Sequence, residues 1–140
     1  DGNKSDPIII EGDRNRLCQV INNLLSNAFK FTTKGSIRVI VDRYVSSNKI
    51  IVKVKDTGIG IHPDMLPKLF TKFSTKSDTG GTGLGLFISK SIIEKHGGRI
   101  WAENDNYNGD TGATFAFSLP IAMEQNKHDL YRNVKAESLA

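Results

Sequence analysis

Apolar residues fall at Leu17, Val20, Ile21, Leu24, Leu25, Ala28 and Phe31, the spacing of a helix with one buried face. Gly12-Asp13 supplies a turn and an N-cap ahead of this run, and Thr32-Thr33-Lys34-Gly35 should end it. The period then drops to two. Ile37, Val39 and Val41 alternate with Arg38 and Asp42. Beyond Ser46-Ser47-Asn48, Ile50, Val52 and Val54 alternate with Lys53 and Lys55. This predicts an antiparallel hairpin with one buried face. A short helix is expected around Pro63–Leu69, leading to Phe70 and Phe73. A second long helix should run from Leu84 to His96, with Leu84, Phe87, Ile88, Ser91 and Ile92 on one stripe and Gly97-Gly98 ending it. Ile100–Glu103 reads as a strand. Ala113, Phe115, Phe117 and Leu119 alternate as a last one, closed by Pro120. Ile8-Ile9-Ile10 is a further short strand candidate. The stretch from Ser74 to Gly83 has no apolar anchor and reads as a mobile loop.

This order predicts an α+β fold, a two-layer α/β sandwich. A mixed, mostly antiparallel sheet of about five strands would be covered on one face by three helices. The chain has 140 residues, the size of one domain. Residues 8–120 carry the pattern. Residues 1–7 read as a disordered or linker remnant and 121–140 as a polar tail or linker.

Composition narrows the class. The net charge is +4, with lysines and arginines scattered through the chain. That favours a domain that handles anions over one that wraps nucleic acid, and a basic surface kept only for solubility fits the charge equally well. Cys18 is the single cysteine and sits among apolar helical positions, which fits a reduced, cytoplasmic setting. No apolar run approaches the roughly 18 residues of a membrane span, and no signal peptide is visible.

The first helix carries a second stripe. Gln19, Asn23, Asn27 and Lys30 share a face beside the apolar one. Asparagine is a poor helix former, so two of them one turn apart with a lysine beyond suggest neutral acceptors and a cation arranged around an anion. An amide oxygen suits Mg²⁺, a hard cation that prefers oxygen ligands. A solvated polar face is the plain alternative.

Two glycine segments follow. Asp56-Thr57-Gly58-Ile59-Gly60-Ile61 ends a strand and opens a loop. A carboxylate there can accept a hydrogen bond from an exocyclic amino group, and the glycines let backbone approach a flat base. A tight turn that needs glycine would look the same. Gly80-Gly81-Thr82-Gly83-Leu84-Gly85-Leu86 stands at a helix N-terminus, where exposed N–H groups bind phosphate. No Gly-Lys-Ser/Thr follows at P-loop spacing, and the segment follows a polar loop where a Rossmann fingerprint would follow a strand.

Taken in order, these segments resemble the ATP-binding catalytic domain of sensor histidine kinases, a branch of the Bergerat-fold superfamily. Asn23-Leu24-Leu25-Ser26-Asn27-Ala28-Phe29-Lys30-Phe31-Thr32 resembles the N box, with Asp13-x-x-Arg16-Leu17-x-Gln19-Val20 a typical lead-in. The Asp56 and Gly80–Leu86 segments resemble the first and second glycine boxes. Phe70-x-x-Phe73 resembles the phenylalanine box that anchors the lid. Gly112-Ala113-Thr114-Phe115 resembles the last glycine box, and His96-Gly97-Gly98 with Trp101 also fits. The resemblance spans about Ile8 to Pro120.

The resemblance implies roles. Asn27 would hold Mg²⁺, with Asn23 and Lys30 beside the triphosphate and Phe31 flanking the nucleotide. Asn23, Asn27 and Lys30 would form the catalytic set. Asp56, with Gly58, Gly60 and Ile61, would read adenine and prefer ATP to GTP, and Thr114 would lie near the base. Phe73, Lys76, Gly81, Thr82, Gly83, Leu84, Gly85 and Leu86 would complete the ATP site through the lid. The implied partners are a histidine-bearing dimerisation domain of the same parent and a response-regulator receiver domain, with no nucleic acid. The isolated chain would be a monomer with little activity. The parent would act in the cytoplasm, with or without a membrane anchor.

Relatives of this fold that hydrolyse ATP resemble one another in a glutamate four residues before the Asn-Ala pair. Here Asn23 stands there, and an amide cannot serve as general base. An ATP-hydrolysing reading and a non-catalytic nucleotide-sensing or scaffold module are the alternatives. The family often has an arginine after the second lid phenylalanine; Ser74-Thr75-Lys76 stands here, and lysine lacks the forked phosphate contact. None of His62, His96 and His128 has the acidic helical context of the family's acceptor, so that segment is expected to precede Asp1.

Overall fold

A computed structural model describes residues 6–74, 82–105, 111–123 and 132–138. Helix α1 spans Arg14–Phe31 and starts where the Asp13 carboxylate accepts the Arg16 N–H. That bond satisfies one of the amides a helix start leaves unpaired. Strands β1 (Ile37–Tyr44) and β2 (Lys49–Asp56) form the expected hairpin. A 3-10 turn at Leu66–Lys68 stands where the short helix was expected, and helix α2 spans Gly85–Lys95. Strands β3 (Ile100–Asn104) and β4 (Ala113–Pro120) complete the described sheet.

Four strands lie in the order β1-β2-β4-β3, every neighbouring pair antiparallel. The expectation of about five strands in a mixed sheet is therefore corrected. Among the described residues Ile8-Ile9-Ile10 makes one backbone bond, accepted by Ile9 from Ala122 N–H, and forms no ladder. Three apolar residues in a row are compatible with a strand, but a ladder needs a partner of matching length.

Helices α1 and α2 cover one face. Helix α1 stands over β2, and α2 over β3 and β4. Val20, Leu24 and Ala28 of α1, Ile93 of α2, Val54 of β2 and Phe117 of β4 form the sealed centre. Leu69 joins them beyond the 3-10 turn. Burying a side chain of this size contributes about 1.5–3 kcal/mol.

Two expectations about faces shift. On α2 the buried residues are Ser89, Ile92 and Ile93, with Phe87 and Ser91 turned toward a lateral groove. Ser89 can be buried because its hydroxyl accepts a hydrogen bond from the Asn23 amide at 3.1 Å. On β1 the apolar face is open: Val39 and Val41 are 51% and 55% exposed. Their cross-strand partners Val54 and Val52 are buried, because the helical layer reaches β2 and stops there.

His96 fastens the two helices at one end. Its Nδ1 lies 2.7 Å from the Ile92 carbonyl, and its Nε2 accepts the Asp13 N–H at 3.0 Å. One ring therefore joins the C-terminus of α2 to the N-cap of α1, a structural use of this histidine. Residues 132–138 are helical and exposed throughout.

Candidate nucleotide site

The site begins at the end of β2. Asp56 is 3% exposed, and its Oδ1 accepts the N–H groups of Gly58 (2.9 Å) and Ala113 (3.3 Å). The strand pairing thus delivers one carboxylate that is fixed by its own loop and by β4. Among the described residues Oδ2 has no protein donor, so it is the acceptor left for a ligand.

Backbone closes around this carboxylate. Gly112 has a φ of 144°, and a Cβ there would collide with the Asp56 carbonyl oxygen. A Cβ at Gly58 would collide with the Phe31 carbonyl. That carbonyl accepts the Ile59 N–H at 3.3 Å, so the loop leans on the last turn of α1. Asn104 is a residue the sequence reading passed over. Its amide clamps Ile61 twice, accepting from its N–H and donating to its carbonyl, each at 2.7 Å. Asp105 was passed over as well. It accepts the Thr114 hydroxyl at 2.8 Å and lies 3.7 Å from Lys55 Nζ. An Asn-Asp pair after a strand has many uses, and only the fold brings it against the Gly58–Ile61 loop.

Helix α1 forms the next wall. Asn23 donates to the Gly85 carbonyl (3.2 Å) and to Ser89, so it ties α1 to the first turn of α2. Asn27 is half-buried one turn on and has no hydrogen bond among the described residues. Lys30 is exposed, its Nζ 5.6 Å from the Phe31 ring centroid.

Helix α2 starts at Gly85 with Leu84 at its N-cap and no side-chain cap. Among the described residues its first turn therefore presents unpaired N–H groups beside Asn23. Phe73, at φ 59°, donates its N–H to the Gly83 carbonyl at 3.0 Å. This bond pinches together the two ends of the segment between them. Thr82 and Gly83 lie at its return, and Leu86 is half-buried in α2. Lys76 and Gly81 lie outside the described residues, as does most of the loop read as mobile.

The structure thus joins Asp56, Gly58, Gly60, Ile61 and Thr114 at one end of α1 with Asn23, Gly83, Leu84, Gly85 and Leu86 at its flank. Asn27, Lys30 and Phe31 lie between them on α1. A separate groove of about 650 Å³ adjoins the Phe73–Gly83 pinch, lined by Phe70, Lys72, Phe87, Lys90 and Lys95 among others. Lys72 Nζ sits 5.1 Å from the Phe87 ring centroid.

Residues 12–123 match the family described as histidine kinase-, DNA gyrase B-, and HSP90-like ATPase, and the chain belongs to that family. Two relatives within the family are sensor kinases. It is 44% identical over 118 residues to the sensor protein FixL of Bradyrhizobium diazoefficiens, covering 83% of this chain and 23% of the relative. It is 36% identical over 124 residues to the sensor histidine kinase WalK of Bacillus subtilis, covering 84% and 20%. The chain thus spans about a quarter or less of the length of these two relatives. Among solved structures, the nucleotide-free catalytic domain of histidine kinase ThkA matches with a TM-score of 0.70 at 35% identity, covering 84% of this chain and 75% of that one. Full-length ShkA in complex with AMPPNP matches with a TM-score of 0.72 at 31% identity, covering 85% and 24%. These likenesses bear out the two-layer sandwich and the histidine-kinase resemblance.

Proposed function

We propose that this chain is the ATP-binding catalytic domain of a sensor histidine kinase. It would position Mg-ATP for transfer of the γ-phosphoryl group to a histidine on a separate dimerisation domain of the same parent protein. One observation carries the reading: a buried carboxylate whose Oδ1 is held by two backbone amides and whose Oδ2 is left to accept from a base amino group. Guanine presents a carbonyl where adenine presents that amino group, so Asp56 selects ATP.

The other residues fit the rest of the nucleotide. Phe31 flanks the base, and the backbone from Gly58 to Ile61 approaches it closely. Thr114, engaged by Asp105, shapes the floor. Lys30 and the uncapped amides of α2 meet the triphosphate's negative charge. The half-buried Asn27 amide supplies an oxygen for Mg²⁺. Among the described residues no cluster of three His, Cys, Asp or Glu side chains exists, so the ion would take its other ligands from phosphate and water. Bound Mg²⁺ would neutralise charge on the phosphates, and catalysis of such transfers rests on positioning and electrostatics.

Asn23 favours the kinase over a hydrolase. Its side chain is a neutral amide committed by its NH₂ to Gly85 and Ser89, and it has no basicity with which to activate water. The nucleophile is instead the imidazole of the acceptor domain. Its nitrogen bonds to the γ-phosphorus as the bond to the bridging oxygen breaks, ADP departs, and the imidazole proton passes to solvent. The groove between Phe70 and Phe87, rimmed by Lys72, Lys95 and the Lys90–Glu94 pair, adjoins the Phe73–Gly83 pinch and is a candidate contact for that domain. A receiver domain then takes the phosphoryl group. The setting is cytoplasmic, where ATP is supplied. Among the described residues no helix is long and apolar enough to cross a membrane.

Calorimetric titration with ATP and GTP, with and without Mg²⁺, tests the binding half. ATP-selective, Mg²⁺-strengthened binding that Asp56→Asn weakens about a hundredfold is expected. Absence of binding by a folded sample would overturn the proposal. Incubation of the ATP-bound chain with a supplied histidine-bearing domain tests the transfer half. Fast phosphate release without transfer would establish a hydrolase instead, and binding without either reaction would leave a nucleotide-sensing module.

A further inference from the structure

Among the described residues strand β1 is an edge of the sheet, and its apolar face is half open. Val39 and Val41 point to the same side as Val54 and Val52, yet lie beyond the reach of the helices. On α1, Asn23 marks the flank bonded to α2. At about 100° per residue, Leu25 and Phe29 fall on the opposite flank, toward β1. Phe29 is 69% exposed. A trough with an apolar floor therefore runs between α1 and the free edge. Beside it, the outward N–H and C=O groups of β1 form a template for another strand.

The sequence of the edge names the occupant. In an antiparallel sheet the outward-pointing backbone groups belong to alternate residues. If β1 pairs with another copy of itself, residues of like parity must face one another, so the axis passes through a residue. Centred on Ile40, the pairing sets Arg38 against Asp42 of the second copy and Asp42 against its Arg38. It also sets Val39 against Val41 and Val41 against Val39, with Ile40 on Ile40. Shifting the axis to Val39 or Val41 places Arg38 or Asp42 opposite isoleucine and loses both charge pairs. Opposite charges and β-branched pairs stabilise cross-strand neighbours. Asp42 is primed for this role. Its Oδ2 is held by Lys53 at 2.9 Å on the sheet face away from the helices. Arg38 has no ion pair among the described residues.

We propose that β1 is a homotypic association edge. Two copies of this chain pair antiparallel about Ile40, joining two four-stranded sheets into one continuous sheet. The four valines then lie side by side on the face that carries the helices. This departs from the monomer that the resemblance implies. It is independent of the nucleotide reading, because the Asn23 and Asn27 flank of α1 faces away from the edge.

Sedimentation velocity of the 140-residue chain over a wide concentration range tests it. A reversible dimer is expected. Arg38→Asp and Val41→Lys should each weaken it about tenfold or more, the effect of placing a like or unpaired charge across the pair. Arg38→Asp combined with Asp42→Arg should restore dimerisation, which no general loss of stability would do. Unfolding temperature and ATP affinity should change little in Arg38→Asp, separating lost pairing from lost folding. A chain that stays monomeric throughout, a dimer indifferent to both single substitutions, or a charge exchange that fails to restore it would each overturn the proposal.

Discussion

Around Asp56, every group that shapes the site is held from more than one direction. The carboxylate is bonded to its own loop and to β4. Asn104 grips Ile61 by both backbone groups, and glycines at 58 and 112 let strands and helix end approach within contact. Around Gly83 the described residues are joined by fewer bonds. One backbone bond from Phe73 closes the stem, Phe73 is 71% exposed, and α2 begins without a side-chain cap. The first end is pre-formed for a flat, uncharged group whose shape does not change. Among the described residues the second leaves the first amides of α2 uncommitted, which on the proposed reading suits a charged group. Preorganisation gives selectivity at one end, and unsatisfied backbone gives attraction for anions at the other.

Substitutions can break this contrast. The largest effect is expected for Gly112→Ala. A Cβ would meet the Asp56 carbonyl at a φ of 144°, so thermal unfolding should show a loss of about 3 kcal/mol or more, with nucleotide binding lost too. Next comes Asp56→Asn. Its oxygen can keep the Gly58 and Ala113 bonds, but its NH₂ would then face the base amino group. ATP affinity should fall about a hundredfold by calorimetry, in line with a lost hydrogen bond to a charged acceptor, while the fold persists. Asn104→Ala strips Ile61 of both side-chain partners. It should destabilise by about 1–2 kcal/mol in chemical denaturation and weaken adenosine and ATP equally.

Gly83→Ala probes the other end. A Cβ there would lie 2.7 Å from the Phe73 Cα, and φ is +72°. The strain of about 1–2 kcal/mol should open the stem locally, lowering ATP affinity several-fold and leaving adenosine affinity unchanged. If adenosine suffers equally, the two ends are not independent. The smallest effect is expected far from both, at Lys53. The hydrogen bond to Asp42 holds its ammonium above the ordinary 10.5. Stabilisation from a raised lysine is fully present below the unfolded value and disappears as pH rises through the folded one. Lys53→Met should therefore cost under about 0.5 kcal/mol near neutrality, because both groups are partly exposed and screened. The difference from wild type should vanish in strongly alkaline solution.

Local pattern revealed most of the architecture. The period in Leu17–Phe31 identified α1 to within a few residues, and alternation identified β1, β2 and β4, since both follow from which face must leave water. The Asp13 cap and the Gly97 stop were legible because helix ends draw on a small set of residues. Motif order pointed to Asp56, Asn27 and the Gly83–Leu86 turn as candidate positions. Asn104 and Asp105 were not legible, because their role depends on β3 lying beside β4, a pairing between strands separated in sequence. Asn23 was legible as a candidate site position but not as a tie to Gly85 and Ser89.

The sequence by itself determined the elements, the family and the chemistry of the candidate site, because each rests on short-range spacing and side-chain type. Tertiary structure alone decided which apolar faces are covered. Val52 and Val41 are indistinguishable in pattern, yet one is sealed and the other is open. The helical layer is only wide enough for the inner strands, and which strand stands at the edge is a property of sheet order that no local period records.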